Sequence, residues 1–246
     1  MKKIFLTFIA LLLAVNTFAQ TGASGHLYIN GGAMLNSQYD RFIQLAGGPQ
    51  AKILVIPFAA DNPQTRAPQI VNIFTNRRAT NVDYVFFDRG QADLPQNLSK
   101  LDGVTGVWFV GGSQTVLRNT LRGTVFLERI KEIYWNGGAI GGTSAGAAIM
   151  SEVMIAGTNT TEGFGFINFA IIDQHFSEEN RQDRLLSAVR RHNLPGIGID
   201  ERTAVIYSAA TNTFEVIGNA SVTVYRPQSS GINTQIFRQG DRFTVE

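Results

Sequence analysis

The stretch Ala139-Ile140-Gly141-Gly142-Thr143-Ser144-Ala145-Gly146-Ala147-Ala148-Ile149-Met150 joins a short apolar strand to a run compatible with a helix. Gly142 to Gly146 fits the pattern G-x-S-x-G, in which the serine occupies a tight turn and small neighbours let the backbone pass close to itself. The turn exposes the serine hydroxyl and directs the Ala145 N–H toward an incoming carbonyl oxygen. The stretch therefore predicts a nucleophile at Ser144, although glycines that merely pack a helix start on a sheet would give a similar pattern.

Short β-rich runs alternate with helix-length polar stretches on both sides of this turn, which is typical of βαβ units. Ile53 to Ile56 and Val107 to Val110 are apolar without alternation, as expected for strands buried on both faces of a parallel sheet. The predicted strands are His26 to Asn30, Lys52 to Pro57, Val82 to Phe87, Gly106 to Val110, Ala139 to Gly142 and Phe169 to Ile172. The predicted helices cover Ser37 to Ala46, Gln64 to Arg78, Gln114 to Thr120, Thr124 to Asn136 and Glu178 to His192.

The C-terminal part of the chain has a different residue composition and pattern. From Thr203 onward, Val, Ile, Tyr and Thr dominate without a helical period, which predicts a small antiparallel patch. The fold class is therefore α/β, with a mostly parallel sheet flanked by helices. Since no repeat or linker divides the chain, residues 20–246 are expected to form a single catalytic domain.

The N-terminus resembles a secretory signal peptide. Lys2 and Lys3 precede twelve mostly apolar residues, Ile4 to Val15, and a membrane-spanning helix would need roughly 20. We expect cleavage after Ala19 and a secreted or periplasmic protein that does not bind a membrane after cleavage, because a lipid anchor would need a cysteine and the chain has none.

Charge and composition exclude several classes of function. Removing Lys2 and Lys3 from the 21 basic residues leaves a number equal to the 19 acidic ones, and the charges are scattered, so we expect no nucleic-acid partner. The absence of cysteine excludes disulfides, thiolate metal sites and a cysteine nucleophile. The three histidines lack helical i, i+4 spacing, so no metal site is predicted, and we expect no cofactor.

A serine hydroxyl needs a neighbouring base, and three histidines are available. His26 begins the first strand, and His192 ends a predicted helix, where a solvated capping role is expected. His175 directly follows the strand Phe169 to Ile172, where the loops at the carboxyl ends of parallel strands meet. Position therefore favours His175 as the general base.

Further site residues follow other apolar runs. Asp200 and Glu201 end the run that starts at Gly196, and either could orient the imidazole, because spacing does not separate them. Gly112, in the glycine turn after Val110, could supply a second oxyanion donor, and Gln114 could reach polar groups of a substrate. The order serine, histidine, carboxylate differs from that of the α/β-hydrolase fold.

These motifs resemble the S51 serine peptidases and, within that family, the cyanophycinases. The resemblance covers nearly the whole mature chain. It is carried by Gly31-Gly32-Ala33, Phe42 to Gly48, Val107 to Gln114, Gly141 to Met150, Ile172-Asp173-Gln174-His175-Phe176 and Gly196 to Ala204.

The resemblance implies a three-layer fold similar to class I glutamine amidotransferases, with Ser144 in place of their cysteine. It implies a Ser144, His175, Glu201 triad, assisted by Gln114 and Asp173. Two arginines in matching positions, Arg181 and Arg184, would bind the substrate. The chain departs from the family at Glu179, where a further arginine is usual, and at Pro57-Phe58-Ala59-Ala60, which lacks a small hydroxyl residue.

The resemblance also implies a function. We expect a peptide or isopeptide substrate, with hydrolysis of β-aspartyl-arginine bonds of a cyanophycin-like polymer through an acyl-enzyme. An exported α-aspartyl dipeptidase or isoaspartyl peptidase on the same fold is the nearest alternative, and a non-catalytic binding protein is an alternative of another class. By analogy with the family, the protein would be a homodimer.

Overall fold

A computed structural model describes residues 24–245; the predicted signal peptide, residues 1–19, lies outside this range. The helices are α1 (Asn36–Leu45), α2 (Pro63–Thr75), α3 (Pro95–Leu98), α4 (Gln114–Leu121), α5 (Val125–Trp135), α6 (Ala145–Ala148) and α7 (Gln182–His192). The strands are β1 (His26–Asn30), β2 (Lys52–Ile56), β3 (Asn81–Tyr84), β4 (Gly106–Phe109), β5 (Ala139–Thr143), β6 (Val153–Ala156), β7 (Asn159–Glu162), β8 (Ile171–Gln174), β9 (Gly196–Ile199), β10 (Thr203–Ser208), β11 (Thr213–Gly218), β12 (Val222–Gln228), β13 (Gly231–Phe237) and β14 (Arg242–Phe243).

The main sheet has eight strands in the order β14-β11-β10-β1-β5-β4-β2-β3. The pairs from β1 to β3 along this order are parallel, and the pairs from β1 to β14 are antiparallel. The predicted α/β fold with a mostly parallel sheet and antiparallel strands at the C-terminal end is therefore confirmed.

The two faces of this sheet are covered by different helices, which gives three layers. Tyr28 and Trp108 point to the face covered by α1 and α2, where Trp108 meets Phe42 at a ring distance of 4.9 Å. Leu27 and Phe109 point to the opposite face, where they pack with the apolar sides of α4, α5 and α6. Strands buried on both sides explain the uninterrupted apolar runs in the sequence.

A second sheet was not predicted. It has the order β13-β12-β9-β8, with β8 and β9 parallel, and a separate hairpin joins β6 to β7. The strand before His175, predicted as one of the parallel strands, lies in this second sheet and not in the main one. Ile172 packs with the main core whereas Ile171 packs on α7, so this strand is buried on both faces and has the sequence pattern of a central one.

The last helix begins later than predicted. Residues after His175 form a turn in which Asn180 has φ of 52°, a left-handed conformation that an α-helix cannot contain. Helix α7 therefore starts at Gln182 instead of Glu178. Across residues 24–245, none of the helices combines the length and apolar character required to span a membrane.

Candidate active site

Ser144 occupies the turn between β5 and α6 that its motif predicts. Its backbone has φ of 53° and ψ of −116°, a sparsely populated region for a residue with a side chain, which costs on the order of 1–3 kcal/mol. Its N–H donates to the Asn30 carbonyl oxygen on the neighbouring strand β1 at 3.0 Å. The turn is thus held by a hydrogen bond from a neighbouring strand.

The glycines of the motif are required by close backbone contacts. A Cβ placed on Gly142 would lie 2.3 Å from the Gly146 carbonyl oxygen, and one on Gly146 would lie 2.2 Å from the Phe109 carbonyl oxygen. Both contacts are far shorter than real Cβ atoms allow. The sequence G-x-S-x-G is therefore a steric requirement of this turn, as predicted.

Two hydrogen bonds join the candidate triad. The His175 Nε2 lies 2.8 Å from the Ser144 Oγ, and the His175 Nδ1 lies 2.8 Å from the Glu201 Oε1. An ionised carboxylate only accepts hydrogen bonds, so Nδ1 carries the proton and Nε2 is left to accept the serine hydroxyl. In this tautomer His175 can take the Ser144 proton, and Glu201 can stabilise the resulting imidazolium.

Asp200 and Glu201, which spacing left open, have different environments. Glu201 carries the hydrogen bond to His175, and its own N–H donates to the Glu178 carboxylate at 3.1 Å. Asp200 is buried and accepts from the Ser177 N–H at 3.1 Å and from the Ser221 hydroxyl at 2.6 Å. Glu201 is therefore the acid in contact with the imidazole, whereas Asp200 fastens the loop after His175 to β12.

The backbone around His175 is also constrained. His175 has φ of 48°, and its N–H donates to the Gly31 carbonyl oxygen at 2.8 Å. The Asn30 carbonyl accepts from Ser144 and the Gly31 carbonyl accepts from His175, so both residues are held against the end of β1 and the residue that follows it. Their side chains meet although they follow strands of different sheets.

The second glycine turn lies beside the nucleophile. Gly112 has φ of +136°, and a Cβ there would lie 1.9 Å from the Ala59 carbonyl oxygen. A Cβ on Gly111 would lie 3.3 Å from the Ser144 Cβ. Among the described residues, neither the Gly112 N–H nor the Ala145 N–H donates to a protein acceptor, so both amides are available to a substrate oxyanion.

The side chain of Gln114, predicted to reach the substrate, already makes one hydrogen bond within the protein. Its side-chain Nε2 donates to the Ile155 carbonyl oxygen on β6 at 3.1 Å. This bond ties the start of α4 to the β6–β7 hairpin. Its Oε1 accepts no hydrogen bond within residues 24–245, so this oxygen and the second N–H of the amide are open to a ligand, and the substrate role of Gln114 stays a prediction.

Asp173 and two arginines form a charged cluster next to His175. The Asp173 carboxylate is fully buried and accepts from Arg184, whose Nε lies 2.8 Å away. Arg181 lies 3.4 Å from the same carboxylate and also pairs closely with Glu179. Because Asp173 has no exposed surface, it can affect a substrate only through the arginines. The Arg181 hydrogen bond is the main cause that lowers the pKa of Glu179.

Sequence reasoning missed the role of Asn30. This fully buried side chain accepts from the Gly32 N–H and from the Thr143 hydroxyl, each at 2.9 Å, and donates to the Thr203 carbonyl oxygen at 3.2 Å. It therefore connects the chain before Ser144 with the strand after Glu201. The available signal was a polar residue that ends a buried strand and precedes two glycines, Gly31 and Gly32.

The fold and the side chains of Ser144, His175 and Glu201 define a class: an α/β protein with the triad geometry of a serine hydrolase. The chain belongs to peptidase family S51, since the model of that family matches residues 24–213. It is 36% identical over 201 residues to a cyanophycinase of Synechococcus elongatus, covering 76% of this chain but only 62% of that protein. It is 36% identical over 203 residues to a cyanophycinase of Geminocystis herdmanii, covering 77% of this chain and 74% of that protein.

A solved structure has the same fold. The crystal structure of a peptidase from an acI-B1 Actinobacterium aligns with a TM-score of 0.74, covering 90% of this chain and 97% of that one. The two sequences are 24% identical over the alignment, so this likeness supports the architecture of the sheet and helices and nothing finer.

Proposed function

We propose that this protein is a serine peptidase that hydrolyses aspartyl amide bonds of a cyanophycin-like polymer through an acyl-enzyme. The observation that carries the proposal is the continuous hydrogen-bonded path from Glu201 through His175 to Ser144, with both links at 2.8 Å. Such a path activates a hydroxyl that is otherwise a weak nucleophile.

The proposed reaction has two stages. In the first, the Ser144 Oγ attacks the carbonyl carbon while the His175 Nε2 takes its proton, and the Gly112 and Ala145 amides bind the oxyanion. The C–N bond then breaks, and His175 returns the proton to the departing amine, which leaves an ester on Ser144. In the second stage His175 takes a proton from a water molecule as the water oxygen attacks the ester carbonyl; the ester C–O bond then breaks, His175 returns the proton to the Ser144 Oγ, and the product carboxylate leaves.

The substrate class rests on the relatives named cyanophycinases and on two arginines near His175. Arg181 and Arg184 lie within the His175 loop and the start of α7, where their planar guanidinium groups suit carboxylates of an acidic chain. The sequence leads us to expect cleavage at the β-aspartyl-arginine bond. Cleavage of this bond and cleavage of the main-chain bond between successive aspartates release different products.

A substrate panel tests the proposal. Purified protein is incubated with the aspartate–arginine polymer, with α-aspartyl dipeptides and with isoaspartyl dipeptides, and the products are identified by mass. Free arginine from the polymer would support isopeptide cleavage. An aspartyl-arginine dipeptide would instead show that the protein cleaves the aspartate main chain. Turnover of dipeptides alone would instead favour the dipeptidase activities. No hydrolysis in any arm would contradict the proposal.

Ser144→Ala is the matched inactive variant. Turnover should fall by several orders of magnitude, on the scale of triad deletions generally. A fluorophosphonate probe should label the wild-type protein at Ser144 and leave the variant unlabelled. Labelling without any hydrolysis would point to another substrate, and absence of both would favour a non-catalytic binding protein.

We also propose that the protein is exported, with residues 1–19 removed and residues 20–246 forming a single domain that assembles as a homodimer. The support is the sequence pattern of the first 19 residues and the resemblance to the family. The mass of the mature chain isolated from its source tests the cleavage, and light scattering of that chain tests the dimer.

A further inference from the structure

The cations next to His175 are already balanced by anions. Arg184 is paired with the buried Asp173, and Arg181 is paired with both Asp173 and Glu179. Two guanidinium groups thus face two carboxylates. A substrate with several charges therefore needs partners besides these two arginines.

A cavity of about 330 Å³ adjoins the glycine turn beside the nucleophile. Its walls are the first two turns of α2, the loop that precedes this helix, and Gly111 and Gly112. Gly111 also packs against the Ser144 Cβ, since a Cβ on Gly111 would lie 3.3 Å from it. The cavity is therefore continuous with the turn that carries the oxyanion donors.

Two charged side chains in this cavity lack an oppositely charged partner. The Arg66 guanidinium donates to the neutral Gln69 Oε1 at 3.0 Å, and within residues 24–245 it forms no ion pair. The Asp61 carboxylate likewise forms neither an ion pair nor a side-chain hydrogen bond in this part of the chain. Both residues are exposed, so each can exchange solvent for a ligand group at little cost.

We propose that this cavity is a substrate subsite that binds an aspartyl-arginine unit adjacent to the bond that is cleaved. Arg66 pairs with a carboxylate of that unit, and Asp61 pairs with its guanidinium group. Both are charge-assisted hydrogen bonds, and the two opposite charges fix the direction of the unit in the cavity. This inference rests on the proposed function for the substrate class, but not on turnover.

Binding is measured in the Ser144→Ala background, so that no substrate is consumed. Titration calorimetry compares short aspartyl-arginine oligomers with the same oligomers whose carboxylates are amidated. Arg66→Gln should weaken binding of the free acid about 10-fold and leave binding of the amidated oligomer unchanged. Asp61→Asn should weaken binding of both. Arg191→Gln, an exposed arginine on α7, is the control for loss of a positive charge.

The outcomes separate the two proposals. Equal binding of the free acid by the Arg66→Gln and Arg191→Gln variants would overturn the subsite, whatever the activity of the wild-type protein. Weaker binding in Arg66→Gln, together with no hydrolysis by the wild-type protein, would support the subsite and remove the proposed peptidase function. Fluorophosphonate labelling of Arg66→Gln with Ser144 intact should proceed as in the wild type, because the triad is untouched.

Discussion

Gly32 lies directly against the imidazole of His175. A Cβ on Gly32 would be 2.2 Å from the His175 Cε1, and the backbone at this glycine has φ of +141°. The absence of a side chain at Gly32 therefore creates the space in which the imidazole stands between Ser144 and Glu201. A steric feature of one loop thus decides whether the hydrogen-bonded path can form.

Gly32→Ala should reduce kcat about 100-fold or more, because the imidazole must move by an ångström or more. The fold should persist, since the displaced His175 side chain is 19% exposed and is not part of the apolar core. Gly231→Ala is a matched control, because Gly231 has a similar φ of +135° but no atom within 4 Å of a built Cβ. Similar kcat values for the two variants would show that Gly32 does not position His175.

Glu201→Gln should reduce kcat by roughly three orders of magnitude or more, because the amide no longer stabilises the imidazolium that forms in the reaction. Thermal stability should change little, since the Glu201 side chain is 34% exposed. Steady-state kinetics and a melting curve of the same preparation check both statements. A loss of kcat matched by a large loss of stability would assign Glu201 to the fold instead.

Asp200→Asn should lower the free energy of unfolding by about 1–3 kcal/mol, because the amide nitrogen would face an N–H or O–H donor in a buried site. Asp241→Asn is the control, since the exposed Asp241 carboxylate also accepts a backbone N–H, from Arg238 at 2.7 Å. Urea denaturation of the two variants gives the comparison. Equal midpoints would mean that burial of Asp200 contributes nothing to stability.

Much of the fold was predictable because buried parallel strands are recorded in the sequence as apolar runs. The predicted strands Gly106 to Val110 and Ala139 to Gly142 agree within a residue or two with β4 and β5. The second sheet was not, because β8 has the same apolar pattern as a central strand and its partner is chosen by tertiary packing. An apolar run in the sequence predicts that a strand is buried on both faces, but it does not predict the sheet to which the strand belongs.

The candidate site was predictable where chemistry restricts residue type. Ser144 and His175 could be chosen because few alternatives existed, whereas Asp200 and Glu201 required coordinates. Asn30 was missed because its role depends on hydrogen bonds to Thr143 and Thr203, which are distant in sequence. The resemblance to the family named Arg181, but only the structure revealed that Glu179 and Asp173 already pair with it.

The stability of the protein should fall as the pH is lowered through about 6.5, in part because of His26. Burial is the main cause that lowers the pKa of His26 from the value of 6.5, and the nearby Arg41 lowers it further. The unfolded chain therefore binds a proton at a higher pH than the folded chain, which favours unfolding as acid is added. The effect is complete once the pH is below the folded pKa.

Urea denaturation at several pH values tests this expectation. His26→Gln should show a smaller loss of unfolding free energy between about pH 7.5 and pH 5 than the wild type does, because glutamine does not titrate there. Arg41→Gln should lose an amount of unfolding free energy between those of the wild type and His26→Gln over the same pH range, since burial of His26 remains. An unchanged pH dependence in His26→Gln would mean that other groups account for the whole effect.

Glu179→Ala should lower the KM for acidic substrates a few-fold, because Arg181 would exchange its exposed carboxylate partner for one on the substrate. The Arg181 hydrogen bond lowers the pKa of Glu179, so Glu179 is ionised throughout the neutral range and the difference from wild type should persist there. The difference in KM should narrow only at pH values below the ordinary pKa of a glutamate, where acid protonates Glu179. Glu132→Ala, on α5, controls for loss of an exposed carboxylate. A KM that is unchanged or higher in Glu179→Ala would show that the pair with Arg181 organises the site rather than competing with the substrate.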